Sequence, residues 1–212
     1  MQISRQIGWS QESNLLYQIL KQLNKLTSIM FGLKPKYKVF TALVSQIGSS
    51  SPDVLDNINL TIGVSYQIKD TGSGFDFTNV GAPNNDYGTW FIATGTTPTS
   101  WGNGGQLNYN TGAPTVIILE DTIGGLGFEY KNSGTYQLHS NDKFTVDKTA
   151  VFVTTNVKTM SLNITQYQVI LEIFENEQPE SLQLYTGDVN GNLLDDMLQG
   201  GHPATVEIRV YN

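Results

Sequence analysis

The chain has 212 residues, with 19 acidic side chains against 12 basic ones, a formal net charge of −7 and no cysteine. Its 39% hydrophobic and 15% charged content is too apolar and too weakly charged for a disordered chain, so a packed core is expected. Disulfides and thiolate metal sites are excluded by composition, and no apolar run approaches the roughly 18 residues of a membrane-spanning helix.

Charge is unevenly distributed. The first 38 residues hold Arg5, Lys21, Lys25, Lys34, Lys36 and Lys38 against the single acid Glu12, so the remainder is strongly acidic. Such a body argues against nucleic-acid binding, while the basic end is either a solvated helix face or a surface steered toward an acidic partner. The opening MQISRQIGWSQESN lacks a continuous apolar stretch, so no secretory leader is expected there.

Residues 10–31 carry helical periodicity. Leu16, Ile19, Leu23, Leu26 and Met30 are spaced three and four apart, which puts them on one face. The register runs back to Trp9 at an a position and Glu12 at a d position, and Leu15, Leu20 and Ile29 widen the stripe. Ser10 is a suitable N-cap, and Gly32 and Pro35 stop the helix. A stripe of about three heptads is marginal alone, so it packs either on identical helices or on the chain's own β body. Leu at a, one Ile at d and apolar flanks lean toward three or more strands rather than two; a homotrimer is the first choice and a dimer the second. Residues 1–34 are thus expected to be an oligomerisation or attachment helix that uses Trp9, Leu16, Ile19, Leu20, Leu23, Leu26 and Met30.

After Pro35 the period changes to two. Strands are expected at 37–47, 58–68, 74–80, 88–94, 115–120, 126–131, 135–139, 150–157, 161–164, 168–174, 181–186 and 204–211. In 58–68, Ile58, Leu60, Ile62, Val64, Tyr66 and Ile68 alternate with small or polar residues, the pattern of a half-buried strand. In 204–211, Val206, Ile208 and Val210 are expected inside, with Glu207, Arg209 and Tyr211 outside. Pro83-Asn84-Asn85 and Gly102-Asn103-Gly104-Gly105 read as loops, and Asn190-Gly191 as a tight hairpin turn. The stretch 58–110, poor in charge and rich in Gly, Thr and Asn, reads as an inserted β module within a body of 35–212. The expected fold is mainly β: a short coiled-coil-like N-terminal helix, then an antiparallel β-sandwich or jelly-roll-like body with that module inserted.

Chemical motifs are sparse. The two histidines, His139 and His202, belong to no G-x-S-x-G, H-E-x-x-H or P-loop pattern, and a surface role is expected for both. Glu120-Asp121 and the group Glu172, Glu175, Glu177 and Glu180 read as solvated acidic loops; spacing does not pair them for glycoside hydrolysis. No enzyme activity and no cofactor are expected. Asp188, Asn190 and Asn192 alternate as in a calcium loop, but Leu193 stands where the EF-hand needs Gly and Gln199 where it needs Glu. A hairpin is the expected reading of that segment, with a weak Ca²⁺ site as the alternative. Trp90 and Trp101, near Tyr87 and Tyr109, are the candidate ligand-binding residues for a sugar-stacking platform; the alternative is that these rings are core.

Residues 3–27 (ISRQIGWSQESNLLYQILKQLNKLT) resemble the N-terminal helix of small virion-associated proteins in crAss-like and related tailed phages of Bacteroidetes hosts. The tracts YKVFTALVSQIG (37–48), APTVIILEDTIG (113–124) and VEIRVYN (206–212) are similar to the β body of that group. LTIGVSYQI (60–68) and DFTNVGAPNNDYGTWFIATGTTPTSWG (76–102) look like a module inserted between those tracts. The resemblance implies a structural virion protein, either a head fibre, a capsid-decorating protein or a tail component, and supplies no catalytic residues. The expectation is a homo-oligomeric head fibre or capsid-attached fibre, made in the host cytoplasm and carried on the capsid exterior or tail. Its partners would be its own copies and other capsid or tail proteins, with no nucleic acid and no membrane. The alternative is a tail-associated receptor- or glycan-binding protein that contacts a host surface glycan.

Overall fold

The computed structural model describes residues 19, 21–22, 36–46, 52–69, 72–155, 168–173, 181–187, 190–195, 198 and 203–212. The chain divides into two compact units, Met1–Lys36 and Tyr37–Asn212. No N-terminal helix is among the described elements. The expected stripe residues Trp9, Leu16, Leu20, Leu23, Leu26 and Met30 lie outside the described residues. Ile19, Lys21 and Gln22 have helical backbone, and Ile19 is 53% exposed.

The second unit is built from antiparallel strands: β1 (Tyr37–Ser45), β2 (Pro52–Asp56), β3 (Ser65–Ile68), β4 (Ser73–Asp76), β5 (Trp90–Ile92), β6 (Ser100–Asn103), β7 (Gln106–Asn110), β8 (Thr115–Asp121), β9 (Gly127–Asn132), β10 (Thr135–His139), β11 (Thr149–Thr155), β12 (Gln168–Ile173), β13 (Ser181–Gly187) and β14 (Ala204–Tyr211). One sheet runs β11-β14-β1-β8 and another β12-β13-β10-β9. The expected strand at 161–164 lies outside the described residues.

Both sheets feed one core. Alternation along β1 turns Phe40, Ala42 and Val44 inward; on β14 it does the same for Ala204, Val206 and Ile208, all fully buried. Register brings Phe40 opposite Ile208 and Ala42 opposite Val206. From the other sheet come Phe128, Tyr136, Leu138, Leu182 and Leu184. Each large apolar side chain so buried contributes about 1.5–3 kcal/mol relative to exposure.

Between β1 and β8, which are neighbours in the first sheet, the chain leaves to build the module. Its sheet runs β2-β7-β3-β5, with β4 and β6 paired beside it, around a second core that includes Tyr66, Ile68, Phe77, Phe91 and Leu107. β2 pairs with β7 from Pro52 opposite Asn110 to Asp56 opposite Gln106, so the module begins before the expected residue 58. Its base is closed by Thr115 Oγ1, which donates to Ser45 O at 3.4 Å, and by Gln46 Nε2, which donates to Gly112 O at 3.5 Å.

The expected strand 58–68 needs correcting. Only β3 is extended, because Gly63 takes φ +83° and turns the chain. The Gly63 amide donates to Ala93 O at 2.8 Å, and its carbonyl accepts from Val116 N at 2.9 Å. Ile58 and Ile62 are exposed as a result, whereas Leu60, Tyr66 and Ile68 are buried. The expected strand 74–80 also ends early, at β4. The Asp76 carboxylate accepts from the Thr78 amide (3.0 Å), the Thr78 hydroxyl (2.7 Å) and Asn85 Nδ2 (3.2 Å), opening a 3₁₀ turn at Thr78–Val80. Those bonds, the Thr78 hydroxyl's first, hold the Asp76 carboxyl below its ordinary value.

Candidate functional site: a cleft between module and body

A cleft of about 380 Å³ lies where the module meets the second body sheet. It is lined by Gln67, Gly88 and Trp90 from the module and by Glu129, Lys131, His139, Ser140 and Asn141 from the body. Its construction begins with Trp90, the first residue of β5. The Trp90 amide donates to Asn141 Oδ1 at 3.0 Å, and Asn141 Nδ2 donates to Trp90 O at 2.8 Å and to Gly125 O. The Asn141 side chain thus takes the place of a neighbouring strand. It does so from a φ of +51°, a left-handed conformation that Asn tolerates better than most residues.

β9 meets the module at the Phe128 amide, which donates to Ser65 Oγ at 2.8 Å. One residue earlier, Gly127 gives the indole room: a Cβ there would lie 3.0 Å from Trp90 Cβ. His139 is opposite Gly127 in the β9–β10 register. Its imidazole lies parallel to the indole, with ring centroids 4.5 Å apart and planes 1° from parallel.

Glu129 joins the polar groups. Its Oε2 is 2.7 Å from His139 Nε2 and 3.0 Å from Lys131 Nζ. Burial is the largest single influence on the Glu129 carboxyl and pushes its pKa up. The hydrogen bonds from His139 and Lys131, with their charges, together outweigh burial and leave the pKa below the ordinary value. Glu129 is therefore an anion at neutral pH. Other lining groups are committed locally: Gln67 Nε2 donates to Gly88 O at 3.4 Å, and Ser140 Oγ accepts from the Lys143 and Phe144 amides. Next to Gly88 in the chain, Tyr87 is 70% exposed.

This arrangement combines a fixed aromatic ring, a carboxylate and an ammonium in one concavity, which suits a small polar ligand. Among the described residues that line the cleft, Glu129 is the one carboxylate.

The two candidate tryptophans part company. Trp90 lines the cleft, whereas Trp101 on β6 sets its edge on Phe77, at 5.2 Å and 81°, beside the module core. Tyr109 packs on Tyr66 in the same core, with ring centroids 6.0 Å apart. His139, expected as a surface histidine, has a mostly buried side chain; His202 lies outside the described residues. Of the calcium candidates, Asp188 also lies outside them, and Asn190 and Asn192 are exposed around a turn at Gly191, where φ is +84°. Asp195, just beyond, accepts from Tyr130 Oη (2.9 Å), Gly134 N (2.8 Å) and Tyr136 Oη (3.3 Å), a structural role. Among the described residues, no group of three or more His, Asp or Glu is placed to hold a metal ion. Asp121 Oδ1 accepts the Ile123 and Gly124 amides, capping a turn. The side chains of Glu172, Glu175, Glu177 and Glu180 are outside the described set.

Sequence reasoning missed Glu129, Lys131, Gly127 and Asn141. The first three sit two apart on one strand, so period-two alternation places them on one face. The β9–β10 hairpin then carries His139 to that face. Nothing local pointed to Asn141, whose partner Trp90 is 51 residues away.

A second surface is apolar. On the outward face of the first sheet, Ile117 and Leu119 of β8 are 63% and 58% exposed, and Ile117 pairs with Leu43 of β1. Across the same sheet, the Arg209 guanidinium stands 5.0 Å from the ring centroids of both Tyr37 and Phe152 and pairs with Glu207.

No family model, curated protein or solved structure matches this chain. Among the described residues, no helix is long and apolar enough to cross a membrane.

Proposed function

We propose that this chain is a non-enzymatic structural protein of a tailed-phage virion, a homo-oligomeric head fibre or capsid-attached fibre. Residues 1–34 would form its attachment helix, and the two sheets on one core a sandwich that projects or packs around the oligomer axis. The observation that carries the assembly reading is the outward face of β8 and β1. Ile117 and Leu119, side by side with Leu43, form an apolar strip that water disfavours and that a neighbouring copy would cover. Its flank of Arg209, Glu207 and aromatic rings supplies both charges, which suits a polar rim. The short-tract resemblance to phage virion proteins supports the setting; a trimer is the first choice and a dimer the second.

Native mass of the full-length protein, measured by light scattering, tests the assembly. A trimer runs at three times the 23.4 kDa protomer. The double substitution Ile117→Lys with Leu119→Lys is expected to lower that mass without loss of β structure. A wild-type protein that runs as a monomer would sink the reading. Mass spectrometry of purified particles tests the setting, with the chain expected among the stoichiometric components.

A further inference from the structure

We propose that the cleft around Trp90 is a saccharide-binding site, which takes one or two pyranose units of a hydroxylated glycan. Three features of the cleft bear on ligand class. Its volume of about 380 Å³ falls at the small end of the roughly 300–1,000 Å³ common for ligand sites, which fits a sugar rather than a nucleotide or a peptide. Trp90 is held before any ligand arrives. Asn141 clamps its backbone on both sides, and His139 backs the indole in a parallel stack. A ring fixed in this way has little conformational entropy left to lose on binding, and the exposed lining around it is mostly polar. A pyranose, with hydroxyls around a C–H face, matches a lining that sets polar side chains around one fixed ring.

Those hydroxyls find partners at the cleft wall. Glu129 uses Oε2 for both His139 and Lys131. An ionised carboxylate can accept further bonds, so Glu129 can also take a sugar hydroxyl in a charge-assisted bond. Lys131 gives one of its three donors to Glu129, which leaves donors for a hydroxyl or ring oxygen. Glu129 and Lys131 pair opposite charges side by side, so a neutral sugar can bond to both without separating them. The inference stands apart from the virion reading, since a monomer could bind sugar and an oligomer need not.

Saturation-transfer NMR on the full-length protein tests it, with methyl α-glucoside, methyl α-mannoside, methyl β-galactoside and N-acetylglucosamine as probes. At least one probe is expected to receive saturation, and the affinity, followed by indole fluorescence, to fall fivefold or more in Lys131→Ala and in Glu129→Gln. These wall substitutions avoid the unfolding that removal of Trp90 risks; circular dichroism checks that both variants keep their β structure. A panel with no binder, or binding equally strong in both variants, would overturn the proposal. A purified bacterial surface polysaccharide, added in competition, then names the source. Displacement by the free sugar assigns the site to the polysaccharide, and binding of the free sugar alone assigns it to soluble saccharides.

Discussion

The body and the module use the same antiparallel pairing but hold together by different means. In the body, β1 and β14 pair over eight consecutive positions, and every second residue enters a core shared by two sheets. In the module, β3 and β5 are in register over three positions, and much of the remaining order comes from turns fixed by side chains. Asn85 accepts the Phe77 amide at 2.9 Å, Asn79 takes the Thr99 amide at 2.9 Å, and Asp76 closes the Thr78 turn. Long strands secure register through repetition, whereas short ones need Asn, Asp and Gly at particular positions. The module therefore carries many polar turn residues around an aromatic centre, and the body carries aliphatic alternation.

The two cores can be separated by substitution. Phe40→Ala in the body and Phe77→Ala in the module each remove a fully buried ring and are expected to cost about 3–5 kcal/mol. Hydrogen exchange should show Phe40→Ala weakening protection throughout β1, β10 and β14. Phe77→Ala should release amides of β3, β5 and β7 first while β14 stays protected. Equal loss across both regions would mean that the two cores unfold as one.

A smaller effect is expected at their junction. Gly63 has φ +83°, and a Cβ there would meet Val116 O at 2.4 Å. Gly63→Ala should cost about 1–3 kcal/mol by chemical denaturation. It should also expose the Val116 amide to exchange, because that amide donates to Gly63 O.

The smallest effect concerns acid. The folded-state pKa of Glu129 lies below its ordinary 4.5, so its ionised form stabilises the fold above that value. This contribution is lost as pH falls through the depressed folded value. Wild-type thermal stability should therefore drop on acidification, and Glu129→Gln should flatten that drop by lowering stability at neutral pH toward the acid-side value. An equally steep fall in the variant would show that the ion contact contributes nothing to stability.

Much of the body was legible in the sequence. The β10 and β14 boundaries fall where alternation placed them, and Val206 and Ile208 point inward as their spacing required. The module was harder. β7 hides Leu107 among Gln and Asn, and β6 falls in a Gly-rich tract that reads as loop. The alternation in 58–68 misled because hydrophobic periodicity carries no information on φ, and one glycine at a positive angle divides the run. At the candidate site, composition marked Trp90 and Trp101 alike. Their fates diverged because Trp101 met Phe77 and Trp90 met Asn141, His139 and Gly127.

By itself the sequence determined the mainly β character and the inward face of β14. A period of two on a half-buried strand is a local property that a few neighbouring residues suffice to write. Only the tertiary structure decided which aromatic ring opens onto a cleft and which carboxylate sits beside it. Those outcomes depend on contacts between segments distant in sequence, where packing and hydrogen-bond satisfaction choose among side chains that look equivalent along the chain.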